Sequence, residues 1–290
     1  MSNMICYVRG DFVMFEEREL QALQMKASLG DPEALVELAD YKRNNQEEKE
    51  AFNLVSKAAL LSYPKAERRI GYYYEKGIGT DIDFKKAYEF YTLAANHGDN
   101  KAKYNLAILL NLGQGCQRNK EEAFRLAKES ASNYYGKALL LLAYFYEHGI
   151  GTEQSYKNAL ECYLKALDIG EKGFYHKLGL FAYYGYGVEK NLNLAFSYFY
   201  KGASENEKAC YYYLGVMYAK GEGESKDLNK ACYWYQQGAN TGDPKSMYNL
   251  AIYYENGIYV PKDDEKANYW LRKSAEKGFD LAINKLQLPK

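Results

Sequence analysis

Cys210-Tyr211-Tyr212-Tyr213-Leu214-Gly215-Val216-Met217-Tyr218-Ala219-Lys220-Gly221-Glu222-Gly223 leads to Lys230-Ala231-Cys232-Tyr233-Trp234-Tyr235 and closes at Ala239 and Gly242. This stretch decides the fold, because it recurs. Stepping by 36 residues from Ala66 lands on Ala102, Ala138, Phe174, Cys210, Ser246 and Ala282. Counting offsets from this anchor, offset 4 is Ile70, Leu106, Leu142, Leu178, Leu214 and Leu250. Offset 5 is small: Gly71, Ala107, Ala143, Gly179, Gly215 and Ala251. Offset 11 is glycine throughout: Gly77, Gly113, Gly149, Gly185, Gly221 and Gly257. Offset 13 is Gly79, Gly115, Gly151, Gly187 and Gly223, then Tyr259. Offset 21 is always alanine: Ala87, Ala123, Ala159, Ala195, Ala231 and Ala267. A fixed period of this length marks a stack of supersecondary units that bury their apolar faces against one another.

Each unit reads as two helices. Apolar residues at offsets 0, 4, 5 and 8 form a helical stripe. The first glycine of Gly-x-Gly then stops the helix by permitting left-handed backbone. The second helix carries Ala at offset 21 and aromatics near offsets 24 and 25, as in Lys86-Ala87-Tyr88-Glu89-Phe90-Tyr91. Small residues at offsets 5 and 21 let neighbouring helices approach while aromatics fill the space between layers. Tyr74, Tyr146, Tyr218 and Tyr254 take the offset-8 core position, and Tyr91, Tyr163 and Tyr235 take offset 25.

The pattern Ala-x3-Leu-Gly-x2-Tyr-x2-Gly-x-Gly, then Lys-Ala-x2-Trp-Tyr-x2-Ala-Ala-x2-Gly, resembles the Sel-one-like repeat (SLR), a relative of the tetratricopeptide repeat. The resemblance covers about residues 30 to 287. It implies an all-α, right-handed α-solenoid of two-helix repeats with about six full units. The expected organisation is an N-terminal segment with a degenerate capping helix (residues 1–29), the repeats (30–278) and a C-terminal capping helix (279–290). Phe15 to Leu29 reads as the second helix of a degenerate unit, and Leu281 to Leu288 as the cap. The unit from Ala34 is four residues short: Ala34, Ala39 and Ala51 keep their roles, and Lys42-Arg43-Asn44-Asn45-Gln46 replaces the Gly-x-Gly turn. Atypical ends of this kind cover the exposed core of a solenoid.

Composition narrows the function. The 290 residues carry 38 Lys+Arg against 38 Asp+Glu, a formal net charge of zero. That removes the electrostatic argument for a general nucleic-acid binder and for an anionic membrane surface. The longest apolar run, Ala138 to Tyr146, is too short to span a bilayer. The N-terminus lacks a basic segment followed by an apolar one, so no signal peptide is read. The five cysteines, Cys6, Cys116, Cys162, Cys210 and Cys232, form no CxxC. Their repeat offsets do not recur, which argues against the per-repeat disulfides of some secreted relatives of the resembled family. Cys162, Cys210 and Cys232 read as small buried hydrophobes. Scattered thiols fit a reducing compartment, and the expected location is cytoplasmic.

No catalytic, cofactor or metal constellation is read. His97, His148 and His176 have no Cys or carboxylate at ligand or triad spacing in the chain. Gly-x-Gly here follows a helix, whereas a dinucleotide fingerprint follows a strand. Glu121-Glu122 and Asp263-Asp264 start second helices, where negative charge suits the helix N-terminus.

What remains is surface. In related solenoids the first helix of every unit lines the concave face, and offsets 2, 6 and 9 then point to the groove. Offset 2 gives Arg68, Tyr104, Leu140, His176, Tyr212 and Tyr248. Offset 6 gives Tyr72, Ile108 and Tyr144, then Leu180, Val216 and Ile252. Offset 9 gives Glu75, Asn111, Glu147, Tyr183, Ala219 and Glu255. Of the 32 tyrosines, those on this face are the ones that packing explains least. Tyrosine combines large contact area with a hydroxyl and few rotatable bonds. The expectation is a non-catalytic scaffold that binds another protein through a tyrosine-rich concave groove, without a cofactor. The resemblance suggests a bacterial adaptor or regulator, with a secreted toxin or an envelope or signalling component as partner. An immunity protein neutralising a secreted antibacterial toxin is a narrower alternative. A glycan- or cell-wall-acting enzyme using Glu75, Glu147 and Glu255 is a third. Superhelical curvature that buries the groove residues is the competing structural explanation.

Overall fold

The computed structural model describes residues 17–287, and all regular elements among them are α-helices. The expected readings for Cys6, residues 1–14, Phe15 and Leu288 fall outside the described residues. Two compact units make up the chain, one ending at Gln154 and the other starting at Ser155. The boundary falls inside the third 36-residue repeat.

The first unit contains α1 (Glu17–Ser28), α2 (Pro32–Asn44), α3 (Glu48–Ala59), α4 (Pro64–Lys76), α5 (Phe84–Asn96), α6 (Asn100–Leu112), α7 (Lys120–Ala131) and α8 (Gly136–His148). The second contains α9 (Tyr156–Asp168), α10 (Tyr175–Tyr184), α11 (Leu192–Ser204), α12 (Ala209–Lys220), α13 (Leu228–Asn240), α14 (Pro244–Asn256), α15 (Asp264–Glu276) and α16 (Asp280–Lys285). Within each unit the two helices of a repeat pack together, and each second helix packs onto the next first helix. First helices of successive repeats also touch directly: α2 with α4, α6 with α8, α10 with α12, and α12 with α14. The first helices thus form one layer of each unit.

The turns follow from local chemistry. Asp83, Asn119, Ser155, Asn191, Asp227 and Asp263 each cap a second helix by accepting the backbone N–H three residues on. They recur with the repeat period at offset 17, so each unit specifies where its second helix begins. Gly77, Gly113, Gly149, Gly185, Gly221 and Gly257 adopt the left-handed conformation that ends each first helix. The glycine at offset 13 has a further reason. A Cβ on Gly115 would sit 2.0 Å from the carbonyl oxygen of Phe84, and one on Gly151 the same distance from that of Lys120. The loop of one repeat therefore presses on the start of the preceding second helix.

The core confirms the stripe and shifts part of it. All six offset-21 alanines are buried, as are the residues at offset 4. At offset 5, a Cβ on Gly71, Gly179 or Gly215 would collide with the ring of Tyr91, Phe199 or Tyr235 at offset 25. Glycine and aromatic are complementary halves of one contact. The last buried position of the stripe, however, is offset 7 rather than offset 8 alone. Tyr73, Leu109, Phe145, Phe181, Met217 and Tyr253 are all buried there, whereas Tyr74, Tyr146 and Tyr254 at offset 8 are only half-buried. A first helix wedged between its partner and the adjacent first helix buries a wider arc than a two-sided stripe requires.

At the ends stand α1 before the first repeat and the short α16 after the last. The short unit closes through Gln46, a non-glycine residue at φ 66°, in place of Gly-x-Gly. Cys162, Cys210 and Cys232 are buried free thiols. Burial pushes the Cys162 thiol up to about 11. Among the described residues no helix is long and apolar enough to cross a membrane.

Candidate protein-binding face

The first-helix layer carries the residues singled out at offsets 2, 6 and 9. All but one are half-buried; Tyr144 is 43% exposed. Offset 2 has a repeated structural task. Four of these six side chains reach the residue 31 positions on, at the entry to the next first helix. Arg68 Nε donates to Asp99 Oδ2 at 2.9 Å, and Asp99 also caps α6 through Ala102 N at 2.8 Å. The rings of Tyr104 and Tyr135 meet edge-on at 5.4 Å, and those of Tyr248 and Phe279 at 5.5 Å. His176 pairs with Glu207. Tyr212 packs on Tyr213 and Tyr235, with Lys245 Nζ over its ring at 5.4 Å. These side chains join successive repeats. Leu140 is half-buried on α8.

The histidines change character in three dimensions. His97 Nδ1 lies 3.0 and 2.8 Å from the two carboxylate oxygens of Glu67, a fully buried residue. Glu207 accepts from His176 Nδ1 and from the backbone N–H groups of Tyr175 and His176. Burial alone would raise the Glu207 carboxyl, but the hydrogen bonds from His176 and Tyr175 outweigh it and hold it below the usual range. It thereby caps α10 from the next repeat. The chain contained no such pairs at short spacing; the repeat supplies them at 30 and 31 residues. His148 sits on the surface, its Nδ1 2.9 Å from the carbonyl oxygen of Tyr144. No group of His, Cys, Asp and Glu among the described residues could hold a metal ion.

The offset-9 carboxylates of Glu75 and Glu255 are engaged. Glu75 accepts from the Tyr91 hydroxyl at 2.7 Å and pairs with Lys76. Glu255 pairs with Lys285 at 2.9 Å. Glu147 is half-buried, and its carbonyl accepts from Gln154 Nε2 at 2.7 Å. Tyr72 packs between the cores of two repeats, beside half-buried Ile108 on the same face. Asn111 leaves its buried Oδ1 without a partner.

An aromatic cluster with two exposed rings lies in the second unit, where the C-terminal end of α10 and the turn after it meet the start of α9. Tyr183 touches Tyr184 at 4.9 Å, Tyr184 stacks on Tyr186 at 5.4 Å, and Tyr186 stacks on Tyr156 at 4.7 Å. Tyr184 is 53% exposed and Tyr186 37%. The Tyr183 hydroxyl donates to Glu222 at 2.6 Å. Burial and that carboxylate push the Tyr183 hydroxyl well up. Burial pushes neighbouring Tyr213 up to about 12. These hydroxyls stay neutral donors at ordinary pH. Tyr184 and Tyr186 occupy offsets 10 and 12, where other repeats carry residues such as Lys76 and Ile78 or His148 and Ile150. The run Tyr183-Tyr184-Gly185-Tyr186 carries the signal in the chain, two tyrosines flanking the turn glycine.

The Sel1 repeat family model matches residues 64–99, 100–135, 136–171, 174–207, 208–243 and 244–279. A solved Sel1 repeat protein from Oxalobacter formigenes is 30% identical with a TM-score of 0.74, covering 83% of this chain and 96% of that one. The protective antigen c5321 of uropathogenic Escherichia coli strains, which displays an SLR fold, is 28% identical with a TM-score of 0.81, covering 89% of this chain and 56% of that one. The chitin synthase regulator SKT5 of Saccharomyces cerevisiae is 33% identical over 135 residues, 46% of this chain and 19% of that protein. Activator of C kinase protein 1 from the same yeast is 36% identical over 94 residues, 28% of this chain and 15% of that protein. The chain thus spans a fifth or less of the length of these two curated relatives. With six matched repeats over most of its length, the chain belongs to the Sel1 repeat family.

Proposed function

We propose that this protein is a non-catalytic scaffold that captures an extended segment of another protein on its first-helix layer. The observation that carries this reading is the ring array Tyr156, Tyr186, Tyr184 and Tyr183, in which Tyr184 and Tyr186 are exposed. Contiguous exposed aromatic surface on a rigid helical support suits protein recognition, because rings already held by their neighbours lose little freedom on binding. The engaged carboxylates at Glu75 and Glu255 favour this reading over hydrolysis. Two curated relatives are a regulator and an activator by name, which is compatible with an adaptor.

The test follows exposure. Tyr104, Tyr212 and Tyr248 join repeats, so replacing them confuses binding with folding. Tyr184→Ala with Tyr186→Ala is the cleaner variant. Partners captured by the native chain are identified by mass spectrometry, and affinity for the most enriched one is measured. Truncating central aromatic contacts costs about 2 kcal/mol or more each, so a loss of at least about thirtyfold is expected, with helical circular dichroism unchanged. Unchanged affinity would refute the assignment of this face.

A further inference from the structure

A largely apolar groove of about 460 Å³ opens between α1 and α3. Ala27 of α1, Leu35 and Leu38 of α2, and Leu54, Lys57 and Leu61 in and just after α3 are among the residues that line it. Leu35 and Leu38 are its buried floor. Leucines at its rim face solvent. Leu61 is 52% exposed, and Leu60, its neighbour in the chain, 86%. Leu29, which lies between two further lining residues after α1, is 78% exposed.

The later repeats do not build this surface. At the position of Leu60 they carry Asn96, Ser132, Asp168, Ser204, Asn240 and Glu276, all polar. At that of Leu61 they carry His97, Asn133, Ile169, Glu205, Thr241 and Lys277. The turn that ends a second helix therefore forms without leucine. Exposed apolar side chains gathered at one groove mark an interaction site.

The occupant is argued from the chain itself. Residues 4–15, outside the described residues, read Met4-Ile5-Cys6-Tyr7-Val8, then Arg9-Gly10-Asp11, then Phe12-Val13-Met14-Phe15. Two apolar runs flank one short polar stretch, and the whole joins α1 through Glu16. α1 is 12 residues long, roughly 18 Å, and the groove flanks its C-terminal half. A segment of this length spans up to about 40 Å when extended, so it reaches the groove from the start of α1. Lys57 is the charged residue of the lining, and among the described residues no ion pair engages it. Asp11 offers the opposite charge between the two apolar runs. Covalent linkage gives the segment an effective concentration of about millimolar order, which favours it over a second copy or a separate protein. We propose that residues 4–15 dock in the groove between α1 and α3 and cover Leu29, Leu60 and Leu61. They form a strap over the N-terminal end of the first unit. The proposal is independent of the ring cluster in the second unit.

Photocrosslinking in the full chain tests the strap. Phe12→p-benzoylphenylalanine places a photoreactive ketone on the segment. This chain is mixed with an equal amount of heavy-nitrogen-labelled native chain, irradiated, digested with trypsin and analysed by mass spectrometry. Crosslinks are expected at peptides 27–42, 50–57 and 58–65, with both halves unlabelled. Leu60→Ser with Leu61→Asn copies the polar pair Ser132-Asn133 of a later repeat. Both positions are exposed, so helical circular dichroism should hold. Crosslink yield at these peptides should fall about tenfold, the worth of burying one leucine. Crosslinks mainly to labelled chains would make a second copy the occupant and overturn the proposal. Crosslinks elsewhere, none at all, or an undiminished yield in the folded variant also overturn it. If the double variant does not fold, the sites and isotope composition of the crosslinks without it decide. None of these outcomes bears on Tyr184 and Tyr186, whose variant tests partner capture.

Discussion

At the residue scale, glycine at offset 13 shows how a single missing carbon sets the spacing of repeats. Gly115 combines φ 70° with a backbone carbonyl 2.0 Å from where its Cβ would be. Backbone cannot yield as a flexible side chain can. Gly115→Ala is therefore expected to cost at least about 2 kcal/mol, above the left-handed penalty of roughly 1–2 kcal/mol alone. A urea midpoint indistinguishable from wild type would contradict the close approach. The sequence showed that glycine recurs there; that the loop presses on a neighbour's helix start came only with the structure. Tyr259, the one departure at this offset, also has positive φ but is exposed.

At the element scale, helices are bounded by caps, and some caps have two duties. Asn119 caps α7, and among the described hydrogen bonds its side chain has that task alone: Oδ1 accepts from Glu122 N at 3.0 Å. Asp99 caps α6 and also receives Arg68 from the preceding first helix. Asn119→Ala should cost about 1 kcal/mol. Asp99→Ala should cost more, because it also leaves a largely buried guanidinium without its partner. Equal effects in chemical denaturation would mean that the Arg68 contact contributes nothing. The offset-17 caps were legible in the chain as Asp, Asn or Ser before each second helix. The offset-2 contacts were not, because they join residues 31 apart through the stacking of repeats. Residues read as groove-facing, such as Tyr104 and Tyr248, also serve as joints between repeats.

At the scale of the whole molecule, a repeat protein is stabilised by the sum of its units and the joints between neighbours. The Glu207–His176 joint in the second unit makes part of that sum depend on pH. The folded Glu207 carboxyl lies below its ordinary value, so its contribution is present above the unfolded carboxylate pKa, about 4.3. It is lost as pH falls through the folded value. Stability measured from pH 7 down to pH 3 should fall less steeply in Glu207→Gln than in wild type, from a lower starting point. Parallel profiles would show that this joint has no part in the acid response.

The repeat, the two-helix unit, the turn glycines and the alanine positions were all legible in the chain. Each is enforced locally, by backbone conformation or by a helical stripe visible within one 36-residue period. Which face positions are exposed was set by packing in three dimensions. Burial of a first helix depends on three neighbours at once, its partner and the adjacent repeats on both sides. That arrangement brought His97 to Glu67, drew most offset-2 residues into joints, and exposed Tyr184 and Tyr186.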